Sequence, residues 1–201
     1  MQTRTLACAA FGLTALTASA SAAIISFSQQ NVWDAYAAYQ ALSVVTEDFN
    51  SITDGVYSSG FSSSVGGVTW TATATGGLRV QSGLFSTVDP TSLSFNFAPG
   101  VQGVSGNFFG TDGTFNAVPS LVQVTLADGT SSILFTNSAA AFAGFYSNGA
   151  AIAGLTITAA GGGSVYPTVD NLFFAVPVPA PGAAALIGLA AMVCRRRRDV
   201  A

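Results

Sequence analysis

In Val68-Thr69-Trp70-Thr71-Ala72-Thr73-Ala74-Thr75 every second residue is a threonine, and the residues between are apolar. Successive side chains of a strand point to opposite faces, so this segment has one face for a core and one for water. Threonine is favoured on such wet faces, and Trp70, in phase with Ala72, is expected inside. The same period of two runs through Leu93-Ser94-Phe95-Asn96-Phe97, Val122-Gln123-Val124-Thr125-Leu126 and Leu155-Thr156-Ile157-Thr158. Asp128-Gly129 separates Val122–Leu126 from Ile133-Leu134-Phe135 and predicts a hairpin, because glycine enters positive φ without steric cost. Asn148-Gly149 and Asp112-Gly113 mark further turns, and Gly161-Gly162-Gly163 reads as a loop. A final strand is expected over 166–175. Nine or ten short strands at this spacing predict an all-β fold, an antiparallel jelly-roll-type β-sandwich.

One segment departs from the period of two. Between Gln29 and Leu42, Val32, Tyr36 and Tyr39 recur at helical spacing, with Trp33, Ala37 and Gln40 alongside. This predicts a short N-terminal helix packed across a sheet, capped by Asn31 and with Asp34 in its first turn.

The chain of 201 residues carries labels at both ends. Arg4, the apolar run Leu6–Ala18 and the small residues Ala18-Ser19-Ala20-Ser21-Ala22-Ala23 follow the three-part order of a secretory signal peptide, with cleavage expected after Ala22 or Ala23. At the other end Val176-Pro177-Val178-Pro179-Ala180-Pro181 leads into an apolar stretch from Gly182 to Cys194, then Arg195, Arg196, Arg197 and Arg198. As a helix that stretch would cover roughly 20 Å, short of a hydrocarbon core of about 30 Å. The arginines would stay on the cytoplasmic side, so the tail reads as a transient membrane stop. The expected organisation is a signal peptide over 1–23, a β-sandwich over 24–175 and a sorting tail over 176–201.

The body between the labels has one basic side chain, Arg79, against eight carboxylates, a net charge of −7 that the terminal arginines hide. One cation cannot neutralise a row of phosphates, which excludes nucleic acid as a partner. Histidine is absent from the chain, and both cysteines, Cys8 and Cys194, lie in the labels. The commonest general base and the usual zinc and copper ligands are therefore missing from the body.

The order of a proline segment ending Val178-Pro179-Ala180-Pro181-Gly182, a short Ala/Gly/Leu-rich helix and Arg195–Arg198 resembles the PEP-CTERM sorting signal of Gram-negative bacteria. Ala180 stands where that family usually has Glu. The resemblance implies recognition by exosortase, transient anchorage in the inner membrane and delivery to the cell surface, outer envelope or exopolysaccharide matrix. The body also looks like domains carried by such proteins, on Glu47-Asp48-Phe49, Gly106-Asn107-Phe108-Phe109-Gly110, Leu126-Ala127-Asp128-Gly129-Thr130, Phe142-Ala143-Gly144-Phe145 and Val169-Asp170-Asn171-Leu172. Their order implies a lectin-like or carbohydrate-binding-module-like sandwich.

Two sets of side chains are candidates for ligands. Glu47 and Asp48 open the sheet, and Asp170 and Asn171 lie in its last strand. First and last strands of jelly rolls often pair, and the four would then offer hard oxygens to a structural calcium ion. Tyr57 and Tyr146, near Gly and Ser, are expected on loops with rings free to stack on sugars. Glu47 and Asp48 point to opposite faces as strand neighbours, so they cannot act as a pair of glycosidase carboxylates. With no histidine, no lysine and no Gly-x-Ser-x-Gly elbow, the chain reads as a non-enzymatic surface or matrix protein associating with exopolysaccharide or envelope components. The rival readings are a secreted polysaccharide hydrolase and a purely structural anchored protein.

Overall fold

The computed structural model describes residues 23–58 and 60–178, so both terminal labels, including Pro179 to Arg198, lie outside the described residues. Fifteen strands and one helix follow in order: β1 (Ala23–Phe27), α1 (Gln30–Tyr39), β2 (Leu42–Glu47), β3 (Gly55–Tyr57), β4 (Phe61–Val65), β5 (Val68–Ala74), β6 (Leu78–Gln81), β7 (Leu84–Thr87), β8 (Leu93–Phe97), β9 (Gly103–Thr111), β10 (Ala117–Val118), β11 (Ser120–Leu126), β12 (Ser131–Thr136), β13 (Phe142–Asn148), β14 (Gly154–Gly161) and β15 (Tyr166–Pro177). Among the described residues no helix is long and apolar enough to cross a membrane.

The strands form two antiparallel sheets, as an all-β sandwich requires. The first has nine strands in the order β1-β13-β9-β15-β7-β6-β3, with β10 beside β9 and β2 beside β15. The second has six, in the order β12-β11-β14-β8-β5-β4. The count exceeds nine or ten because several short ladders, such as β3 and β10, have no alternating signature of their own.

The alternating segments behave as their period demands. In β5, Val68, Trp70 and Ala72 are buried while Thr69 and Thr73 are exposed. Trp70 meets Phe49, Phe61, Phe85 and Phe95 with ring centroids 5.7, 5.7, 5.8 and 5.8 Å away. Such pairs add about 0.5–1.5 kcal/mol each beyond area burial. The β11–β12 hairpin closes at Asp128-Gly129: Gly129 has φ +92°, its N–H donates to Leu126 O at 2.9 Å, and Asp128 Oδ1 accepts from Thr130 N at 2.9 Å.

The chain ends of the sandwich meet. β2, the first strand after the helix, pairs with β15, Glu47 opposite Leu172 and Leu42 opposite Pro177. β15 thus runs past Ala175, and Val176 and Pro177 belong to the sandwich rather than to a linker.

Helix α1 differs from its sequence reading in three ways. It stops at Tyr39, and Ala41 turns left-handed with φ +55°. The residue before its first turn is Gln29, which makes no side-chain cap, and the first turn holds no acidic residue. Its buried face is Trp33 and Ala37, at 1% and 2% exposure, whereas Val32 and Tyr39 are 47% and 82% exposed. The sheet decides this. Two glycines leave a notch for the indole: a Cβ at Gly144 would sit 2.6 Å from Trp33 Cδ1, and one at Gly103 would sit 3.2 Å from Trp33 Cζ2. Trp33 Nε1–H then donates to Phe145 O at 3.2 Å.

Candidate functional site

With Trp33 seated in its notch, the next turn of α1 carries Tyr36 over the sheet and Tyr39 out to solvent. β1 pairs with β13 so that Ile25 lies opposite Tyr146 and Phe27 opposite Gly144. Four rings from three segments therefore gather at one place. Tyr36 stands edge-on to Tyr146 at 4.9 Å, and lies 5.4 Å from Phe27 and 6.3 Å from Tyr39. Tyr146 is the buried floor, Phe27 and Tyr36 are half-buried, and Tyr39 is exposed. Burial, and secondarily the neighbouring Tyr36, raise the Tyr146 phenol above its ordinary value.

This cluster presents aromatic faces beside phenolic hydroxyls, outside any carboxylate pair. Ring faces carry negative quadrupole density that attracts the polarised C–H edges of a sugar, and phenols add donors and acceptors.

Tyr146 was expected on a loop and stands in β13, where its ring supports Tyr36 instead of facing solvent. Tyr57 was also expected on a loop and stands in β3. Its hydroxyl donates to Thr53 O at 2.6 Å, and its ring packs edge-on against Phe61 at 4.9 Å. The helical period of Tyr36 and Tyr39 reads the same whether it packs inward or faces out, and Phe27, in β1, joins them only through the β1–β13 pairing.

The four oxygen-bearing residues are not brought together as one ligand set. Glu47 points into the core at 4% exposure. Its Oε2 accepts from Trp70 Nε1–H, and its Oε1 from Phe49 N–H, each at 3.0 Å. Phe49 has φ +55°, a costly conformation for a bulky residue, so the carboxylate both ties the two sheets and holds a strained turn. Asp48, just past the end of β2, is exposed and accepts from Asn50 N–H at 3.1 Å, and hydrogen bonds from the Asn50 side chain and backbone lower its pKa. Asp170 and Asn171 sit at a bulge of β15, where Asn171 takes φ +50°. Desolvation, and secondarily the nearby Asp48 charge, raise the Asp170 pKa. Asp48, Asp170 and Asn171 without Glu47 leave two carboxylates and an amide, to which backbone carbonyls or water would have to be added for a calcium ion.

Elsewhere the solvent face of the six-stranded sheet carries hydroxyls and amides in place of charges. Thr71 and Ser62 share a hydrogen bond at 2.8 Å, and Ser94 and Thr156 another at 3.0 Å. Thr73 lies opposite Ser94, and Thr71 opposite Asn96. The lone cation of the body, Arg79, is held by Gly113 O at 2.9 Å, by Gln81 Oε1 at 3.1 Å and over the Phe115 ring at 4.7 Å.

Comparison with protein-family models, with curated proteins and with solved structures finds no match to the chain.

Proposed function

We propose that this protein is exported and acts without catalysis at the cell surface or in the extracellular matrix, where its tyrosine cluster binds polysaccharide. The supporting observation is the group formed by Phe27, Tyr36, Tyr39 and Tyr146, with one ring outside and the others stacked behind it. Tyrosine costs little conformational entropy to order on binding, and it pairs apolar area with a hydroxyl. The acidic body favours neutral over acidic glycans. Routing rests on the terminal labels: a signal peptide for export, and a tail of PEP-CTERM type, read by exosortase, for sorting.

Affinity electrophoresis of the purified protein through gels containing neutral or acidic extracellular polysaccharides tests the binding reading. Retardation by a neutral polysaccharide is expected, with at least a tenfold loss of affinity (about 1.4 kcal/mol) in a Tyr36→Ala/Tyr39→Ala variant that melts within a few degrees of wild type. Equal retardation of the two proteins refutes the site. Release of reducing ends from the polysaccharide would favour a hydrolase instead. Mass spectrometry of the protein recovered from the cell surface tests routing, which fails if Met1 and Ala201 are both retained.

A further inference from the structure

Strand β12 ends the six-stranded sheet, and its far side pairs with no other strand among the described residues. Protein edges are ordinarily blunted by charge, proline or a bulge. Ser131-Ser132-Ile133-Leu134-Phe135-Thr136 has neither charge nor proline, and its ladder with β11 runs without a register shift. Its solvent face shows Ile133 at 60% and Phe135 at 81% exposure, with Leu121 at 48% directly across from Phe135.

The backbone at this edge is ready to bond. Leu126 N–H donates to Thr130 O at 2.8 Å, which makes 126 and 130 a hydrogen-bonded pair. Bonded and non-bonded pairs alternate along an antiparallel ladder, so Ser132, Leu134 and Thr136 bond toward β11. The N–H and C=O groups of Ser131, Ile133 and Phe135 therefore point away from the sheet.

We propose that this edge pairs with the same edge of a second copy of the chain, antiparallel about a two-fold axis at Leu134. The register is self-complementary. With Leu134 opposite Leu134 of the second copy, Ile133 of each chain falls opposite Phe135 of the other. Those are the residues whose backbone groups are free, so both bonded pairs close. Their side chains share the outer face, giving two aromatic–aliphatic cross-strand pairs. The half-buried Leu134, packed on the core from the edge, is covered by its counterpart. This geometry keeps the charge penalty small. A body of net charge −7 repels its copy, but the strand is neutral. The two-fold axis sends the hairpin tips carrying Asp128 to opposite ends, roughly 40 Å apart at about 3.3 Å per residue, beyond a Debye length of about 8 Å. A single edge this short makes a contact smaller than the ~1,200 Å² of standard interfaces, so the dimer is expected to be concentration-dependent.

Sedimentation velocity of the purified protein from low-micromolar to near-millimolar concentration tests this. The expected result is a reversible monomer–dimer equilibrium. Phe135→Lys should weaken it at least tenfold by setting a cation on the edge. Ile133→Pro should do the same by removing only an outward N–H. Both residues are solvent-facing, so both variants should keep the wild-type far-UV circular dichroism. A wild-type protein that stays monomeric throughout overturns the proposal. So does a dimer that both variants retain, or growth beyond the dimer, which two-fold pairing forbids. Monomers that float with phosphatidylcholine vesicles in a Phe135-dependent way would overturn it in favour of a lipid surface. The tyrosine cluster is on the other sheet, so sugar binding stands or falls separately.

Discussion

Removing the Glu47 carboxylate should be among the most damaging single changes in the sandwich. Its two oxygens accept buried hydrogen bonds from Trp70 Nε1–H and Phe49 N–H, both at 3.0 Å. Hydrogen bonds to a charged group are worth about 1.5–3 kcal/mol, and a buried donor left alone costs about 1–3 kcal/mol. Glu47→Ala orphans two donors and opens a cavity, so a loss of about 3–5 kcal/mol is expected. That is a large share of a typical total of about 5–15 kcal/mol. Glu47→Gln keeps the volume and one acceptor but turns an NH2 toward the other donor, for a smaller loss of about 1–3 kcal/mol. Trp70→Phe removes the indole donor and leaves Phe49 N–H bonded. A double-mutant cycle of Glu47→Gln with Trp70→Phe, measured by urea unfolding, should give a coupling of about 1–2 kcal/mol. The cycle should be unchanged by calcium or chelator, because this carboxylate is spent inside the core. A cost under about 1 kcal/mol for Glu47→Ala with zero coupling would refute the anchor. Loss of the coupling only when calcium is added would restore Glu47 to a metal site.

Three further outcomes follow from the same geometry. Gly144→Ala sets a Cβ 2.6 Å from Trp33 Cδ1; thermal unfolding should show a loss of about 1–3 kcal/mol, with weaker polysaccharide retardation because Tyr36 moves with the helix. Asp112 is held down to about 2 from 3.8 by hydrogen bonds from Thr114 and Asn116. A depressed folded value stabilises the folded state above 3.8 and loses that contribution as pH falls toward 2, so carboxyl NMR should show the 112–116 turn loosening in that window. Asp170 has the opposite sign. Its raised folded value means that ionisation costs stability as pH rises through and above 3.8. Asp170→Asn should therefore raise Tm at neutral pH, by an amount that vanishes in acid, and a gain independent of pH would show that charge is not the cause.

The local features were readable in the chain because their causes are local. Alternation in Val68–Thr75 places Trp70 inside through the pleat alone, and Asp128-Gly129 closes its hairpin through backbone freedom. The buried face of the helix was not readable. Val32, Tyr36 and Tyr39 have the same helical period as Trp33 and Ala37, and the choice falls to Gly103 and Gly144, whose missing side chains admit the indole from a distant part of the chain. The tyrosine cluster is equally non-local, since Phe27, Tyr36 and Tyr146 meet only when β1 pairs with β13. Glu47, the last residue of β2, turns into the core while the adjacent Asp48, just past the strand end, faces solvent, and only the second sheet supplies the Trp70 partner. Composition, strand period and turns are properties of neighbouring residues. Which side chains share a site is settled by burial against segments that local sequence does not contain.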